Sequence, residues 1–308
     1  MRTPIIPVAL SALALASSTL ASGLGADAVL EPSQDGTLFE NDFGDLANGA
    51  GQHIFTGQTV QSDQSLRLRR AVLQFDIATA VPAGATITSA TLQLRMNRTI
   101  AGNTDTTLHR VTTPWGEGTT DAFGQEGGGG VSTTDSSTWI HSFWPATAWT
   151  SPGGDFDAIS SADAIVGGNG FYVWSSAELA ADVQLFLDDP AMNNGWILIG
   201  NETSAPTAKR FDSREATTAA NRPQLILTFD PPAGGCAPAD VTTDGTSNGI
   251  PDNAITLSDF SFYLSLWATG DPAADITTVG MCDIGNGGDG VDLSDFSCYL
   301  SEWSLGCP

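Results

Sequence analysis

The pattern Leu-Ser-Asp-Phe-Ser-x-Tyr-Leu-Ser-x-Trp runs from Leu257 to Trp267 and again from Leu293 to Trp303, with nine of eleven positions identical at an offset of 36 residues. A repeat this close is an internal duplication, and each copy is a unit too small to bury its apolar face alone. In each copy Phe260, Tyr263, Leu264 and Trp267, then Phe296, Tyr299, Leu300 and Trp303, fall at i, i+3, i+4 and i+7. That spacing is the stripe of an amphipathic helix. The end of the chain is therefore expected to be two short helices packed on each other. Each follows an Asp- and Gly-rich loop, Asp240 through Asp252 to Asp259 and Asp275 through Asp289 to Asp295.

Residues 231–308 carry ten Asp and Glu302 and neither Lys nor Arg. A compact unit of that charge repels itself, and a bound cation is the economical remedy; hard oxygen donors favour calcium. The spacing does not fit an uninterrupted EF-hand loop counted back from Asp259, because Ile250 falls where a ligand is needed. With an insertion allowed, Asp240, Thr242, Asp252 and Asp259 make a first ligand set, and Asp275, Thr277, Asp289 and Asp295 a second. In the second, Asp289 and Asp295 stand one residue too close, so Asp292 can substitute.

All four cysteines lie in this region, and four cysteines allow three pairings. The flanks Gly235-Cys236-Ala-Pro and Gly306-Cys307-Pro bracket the duplication like a clasp, which favours Cys236 with Cys307 and leaves Cys282 with Cys298. No Cys-x-x-Cys or paired His supports zinc.

At the other end, residues 1–23 place a lone Arg2 before an Ala- and Leu-rich run and small residues near Ala21 and Gly23. This is the layout of a secretory signal peptide, and the apolar run is short for a membrane span. A mature chain that is secreted, not inserted in a membrane and permissive for disulfides is expected. Eleven Lys and Arg against 35 Asp and Glu give a net charge of −24, which excludes binding to nucleic acid or an anionic membrane through bulk charge.

Between the two ends, residues 24–230 read as strands. Ala71, Leu73, Phe75 and Ile77 alternate with Arg70, Gln74 and Asp76, and Ala90, Leu92, Leu94 and Met96 alternate with Thr91, Gln93 and Arg95. Further strands are expected at Phe171 to Trp174, Trp196 to Ile199 and Gln224 to Phe229, and one helix from a Ser175 cap with Glu178 three residues on, ending before Pro190. Many short strands without a βαβ rhythm predict a mainly β, two-sheet jelly-roll sandwich, joined by a linker at 231–237 to a small all-α loop-helix repeat at 238–308. His53, His109 and His141 are scattered, with no metal or triad spacing.

Arg70-Ala-Val-Leu-Gln-Phe-Asp-Ile, Pro82-Ala-Gly-Ala-Thr, Trp115-Gly-Glu-Gly, Thr138-Trp139, Asn194-Gly195-Trp196, Phe211-Asp-Ser-Arg-Glu and Arg222-Pro-Gln-Leu together resemble the DNRLRE domain. That family is similar to a carbohydrate-binding module family of enzymes acting on acidic polysaccharides, so the resemblance implies a jelly roll and polysaccharide binding. The residue types that bind such ligands are aromatic platforms and forked cations. Trp144 and Trp149, in a Pro-, Ser- and Gly-rich stretch, are the expected exposed platforms, and Lys209, Arg210 and Arg214 the cations; Trp115, Trp174 and Trp196 are expected in the core. For Arg214 the competing expectation is an internal pair with a buried acid.

The duplicated loop-helix with its Gly-Cys-x-Pro start and Gly-Cys-Pro end resembles a GC-type dockerin. This resemblance implies a calcium-stabilised module that docks onto a cohesin-type domain, with Leu257, Ser258, Leu293 and Ser294 as contact residues in two equivalent orientations. Ser258 and Ser294 also qualify as helix caps. Together these readings describe a secreted, non-enzymatic polysaccharide-binding protein anchored through a dockerin-like module. A polysaccharide lyase or hydrolase built on the sandwich, or a purely structural surface protein, are the alternatives.

Overall fold

Strand alternation and helical spacing both carry into the backbone of the computed structural model, which describes residues 26–60, 67–230, 242, 255–275 and 290–305. The expected signal peptide at 1–23, the expected linker at 231–237, Cys236, Cys282 and Cys307 lie outside the described residues. The strands are β1 Ala26–Leu30, β2 Gln34–Phe39, β3 Leu46–Ala47, β4 His53–Gln58, β5 Leu68–Gln74, β6 Thr86–Thr99, β7 Thr104–Arg110, β8 Gly130–Val131, β9 His141–Phe143, β10 Thr147–Ala148, β11 Ala162–Val166, β12 Gly170–Ser175, β13 Trp196–Gly200, β14 Lys209–Asp212 and β15 Gln224–Asp230. The helices are α1 Ala177–Asp188, α2 Leu257–Thr269 and α3 Leu293–Leu305.

Eleven strands form one curled antiparallel sheet ordered β1-β15-β6-β14-β4-β5-β13-β7-β11, with β12 added to β6 and β2 to β5. The sheet turns at β4, which pairs with β14 from His53 to Thr56 and with β5 at Gly57 and Gln58. Gly57 makes this turn possible: its φ is +89°, and a Cβ there would stand 2.8 Å from the Thr207 carbonyl oxygen. Because of the curl, Leu92, Leu94, Trp174, Phe211 and Leu225 from one half share a core with Leu73, Leu108, Trp196 and Leu198 from the other.

Helix α1 closes this core through Leu179, Val183 and Phe186, and the Phe186 and Trp196 rings lie 5.0 Å apart. Its cap is Ser176, whose side chain accepts from Leu179 N at 2.8 Å. The expected cap, Ser175, is instead the last residue of β12 and bonds to the Ala90 carbonyl. Glu178 therefore stands one position short of a capping box.

A second apolar cluster lies on the opposite face of β2, β5 and β13. Leu38, Val72 and Ile197 point away from the first core and are covered by Val111, Trp115 and Trp149, with Trp139 and Phe156 packed against them. The long stretch between β7 and β11 thus acts as a lid over one half of the sheet.

The two duplicated helices pack as a pair with internal two-fold character. Tyr263 and Tyr299, equivalent across the 36-residue offset, stack at 3.8 Å and 3°. Phe260 meets Trp303 at 5.6 Å and Phe296 meets Trp267 at 5.0 Å, which are reciprocal contacts of equivalent residues. Duplication predicts this, since a repeated apolar face is self-complementary about a two-fold axis. Among the described residues, no helix is long and apolar enough to cross a membrane.

Candidate functional site

The end of β6 and the start of β14 run side by side, with Lys209 opposite Thr99, Arg210 opposite Arg98, and a register shift before Phe211 opposite Met96. The irregularity is a β-bulge, a device that re-aims side chains. Here it accompanies two guanidiniums that reach the same atom, with Arg98 Nη1 and Arg210 Nη1 donating to Gln125 Oε1 at 2.6 and 3.0 Å. A groove of about 240 Å³ opens beside them, lined by Phe55, Arg69, Arg98, Ile100, Gln125 and Arg210 among others. Among the described residues neither Arg98 nor Arg210 forms an ion pair. Burial, and then the charge of Arg98, lower the pKa of Arg210.

The polar surface continues outward from the groove. Arg210 Nε donates to Asn97 Oδ1 at 2.7 Å, Asn97 Nδ2 to Asp212 Oδ1 at 2.6 Å, and Arg95 Nη1 to Asp212 Oδ2 at 2.8 Å. Phe171 on β12 pairs directly with Arg95 and so shares its outward face, with half of its surface exposed. The loop carrying Gln125 is fixed by its neighbour Glu126, which accepts from His53 N at 2.9 Å and Asn48 Nδ2 at 3.1 Å and meets His53 Nδ1 at 3.0 Å. Burial raises the Glu126 pKa, but these hydrogen bonds and the His53 ring outweigh it and hold the carboxyl below its ordinary value.

Of the five residues expected to bind sugar, Arg210 alone contributes its charge to the groove. Lys209 is buried, and its ammonium donates to the carbonyls of Ala101, Gly102 and Gly167 at 3.3, 2.6 and 3.2 Å. It ties two loops together and is spent internally. Trp149 is also buried, with Nε1 bonded to the Thr138 carbonyl at 2.9 Å, because the stretch expected to be exposed folds into the second core. Trp144 is half-buried. Trp115, Trp174 and Trp196 lie in the cores.

Arg214 takes the internal alternative. Its Nη1 donates to both oxygens of Glu117 at 3.2 and 2.9 Å, and its backbone N donates to Asp35 Oδ2 at 2.7 Å. Around it, Asp35 on β2, Glu117 after β7 and Glu215 after β14 each bring one carboxylate oxygen within 4.8 Å of the other two. Burial, and then the charge of Glu215, push the Asp35 carboxyl well above its ordinary range. Burial and Glu117 push Glu215 up to about 7, and burial raises Glu117 as well. The residues missed from sequence, Arg98, Asp35, Glu117 and Glu215, have no local spacing to betray them. For Glu117 and Glu215 the only signal was their place inside the quoted motifs Trp115-Gly-Glu-Gly and Phe211-Asp-Ser-Arg-Glu; Asp35 and Arg98 carry none.

In the helical pair, Asp240, Asp252, Thr277 and Asp289 of the expected calcium ligands lie outside the described residues. Asp259 is buried and occupied: Oδ1 accepts from Thr242 N and Oγ1 at 2.7 and 2.9 Å, and Oδ2 from Thr256 N and Oγ1 at 2.7 and 3.0 Å. It closes a capping box with Thr256. Asp295 is buried in the equivalent position, with Oδ2 accepting from Asp292 N at 2.7 Å. Asp275 Oδ2 accepts from Gly290 N at 3.2 Å, while its Oδ1 is buried without a partner.

Ser258 and Ser294 are not the caps, since Thr256 accepts from Ser258 N and Asp292 accepts from Ser294 N. Leu257 and Leu293 project into solvent at 72% and 68% exposure. Cys298 is buried and disulfide-bonded, and its partner lies outside the described residues. No protein-family model matches the chain, and no curated protein matches its sequence.

Proposed function

We propose that this is a non-catalytic polysaccharide-binding protein whose groove at Arg98 and Arg210 takes a carboxylated sugar unit. The observation that carries the reading is the pair of guanidiniums sharing one neutral amide oxygen, in a chain of net charge −24. Two like charges that share a neutral oxygen and form no direct ion pair, with Glu126 and Asp212 acting on Arg210 only from a distance, make an anion site: a carboxylate displacing Gln125 would accept from both forks and relieve their repulsion. The neighbouring Phe171 supplies an exposed aromatic face on which a sugar ring stacks. The helical pair is the anchor, with Leu257 and Leu293 as equivalent exposed contacts for a cohesin-type partner, and export delivers the chain to that surface.

Binding of a polyuronate and of a neutral glucan to the full chain, measured by calorimetry for the wild type and the Arg98→Ala/Arg210→Ala double variant, tests this. Each charge-assisted pair contributes about 1.5–3 kcal/mol, so the double variant should lose polyuronate affinity at least about tenfold and keep its fold. Equal affinity of wild type and variant would sink the reading. A second reading is favoured by His53 standing between Glu126 and Asp212 beside Arg95, a His and Arg group next to the groove. Were the protein a lyase, the same mixtures would accumulate unsaturated products visible by ultraviolet absorbance. The expected result is none, because His53 is held between two internal carboxylates.

A further inference from the structure

Asp35, Glu117 and Glu215 converge from positions 35, 117 and 215, and one carboxylate oxygen of each lies within 4.8 Å of the other two. Like charges gather this way only with compensation, and Arg214 supplies part of it through Glu117. Fully ionised, three carboxylates against one guanidinium would leave two negative charges uncancelled, and without an ion it is protons that relieve them, as the raised Asp35 and Glu215 carboxyls show.

The hydrogen bonds are also incomplete. Asp35 is fully buried; its Oδ2 accepts from Arg214 N at 2.7 Å, while its Oδ1 has no hydrogen-bond partner. Glu215 Oε2 is likewise buried without a partner. Buried oxygens of this kind are satisfied by protein, water or an ion. A single water donates only two hydrogens and brings no charge. A divalent cation supplies both the missing contacts and the missing charge. Two oxygens on opposite sides of calcium at about 2.4 Å stand about 4.8 Å apart, so the spacing of the three carboxylates admits that ion.

We propose that Asp35, Glu117 and Glu215 form a divalent-cation site in the β domain, of calcium type by its all-oxygen donors. None of its residues lines the groove or belongs to the Asp-rich stretches 240–259 and 275–295 of the sequence. It joins the start of β2, the stretch after β7 and the turn after β14, three segments far apart in the chain. Glu117 and Glu215 are partly exposed, which leaves the ion a way in from the loop side.

The experiment is calcium binding to the full chain, read as ions bound per chain by equilibrium dialysis and as the thermal midpoint in near-ultraviolet circular dichroism. Wild type is compared with Asp35→Asn and Glu215→Gln, both close in shape to the native side chains. Glu215→Gln sits at the more exposed position and keeps the test informative should Asp35→Asn fail to fold. We expect each folded variant to bind one calcium fewer than wild type and to lose most of the calcium-dependent rise in the midpoint of the tryptophan-rich β domain. Calcium held in the tail loops would remain in the variants and be counted there. An unchanged ion count in Glu215→Gln, or a wild-type β-domain midpoint indifferent to calcium between chelator and millimolar ion, would overturn the proposal and leave the carboxylates sharing protons.

Discussion

Glu126 holds a loop in place with one carboxylate, and it does so from the left-handed region at φ 65°. Its hydrogen bonds to His53 and Asn48 hold its pKa below the ordinary glutamate value in the folded chain. A depressed carboxyl stabilises the fold above the unfolded-state pKa, and that contribution disappears as pH falls through the folded value. The wild type should therefore exceed Glu126→Gln in stability by about 1 kcal/mol at neutral pH, the excess of a hydrogen bond to a charged group over one to a neutral amide. The gap should close below the ordinary glutamate range. Urea unfolding of both proteins across that window checks it, and a gap independent of pH would mean that the carboxylate charge is idle.

At this scale the sequence was least legible. Lys209, Arg210 and Arg214 look like one cationic cluster on the page, yet alternation along β14 and the turn after it send them to three places. Arg98 joins Arg210 through strand register alone, across more than a hundred residues of chain.

Elements were more legible than their residues, because periodicity reports which face is buried and says little about what a polar group touches. Leu225, Leu227 and Phe229 are buried as their alternation requires, and the duplicated stripe does bring equivalent aromatics together. Val72 shows the limit: alternation assigned β5 a single apolar face, while the lid after β7 makes the other face a core as well.

The acidic residues of the repeats show the same limit. Asp259 has the position of a loop ligand in the sequence and the contacts of a helix cap in the structure, engaging two backbone N–H groups and two hydroxyls. Asp259→Ala leaves those buried donors unpaired and should cost about 2 kcal/mol locally. Amide exchange in α2 should accelerate about thirtyfold, with α1 unaffected. If the role is capping, the acceleration is the same in chelator and in calcium; a loss seen only with calcium present would make Asp259 a metal ligand.

For the whole molecule, the charge distribution sets how a polyanion is met. The chain carries −24 overall, and eleven of its acids lie in residues 231–308 with no Lys or Arg among them. A polyuronate approaching from a distance meets a repulsive field, while at the groove it meets Arg98 and Arg210 beside an uncharged amide. The two effects respond differently to salt. Repulsion between separated surface charges is screened once the Debye length shrinks from about 30 Å at 0.01 M to about 8 Å at 0.15 M, whereas a contact pair in a groove is screened much less. Raising salt across that range should therefore increase the association rate for a polyuronate and leave dissociation nearly unchanged. This is opposite to the behaviour of a basic polyanion-binding protein, whose affinity falls with salt as counterions are released. Surface-coupled polyuronate with the full chain in solution gives both rates directly. A rate that falls with salt would mean that some other, strongly basic surface steers the encounter, and the groove would lose its claim to the ligand. A rate that rises, with the rise retained and affinity lost in the Arg98→Ala/Arg210→Ala double variant, separates the global field from the local grip.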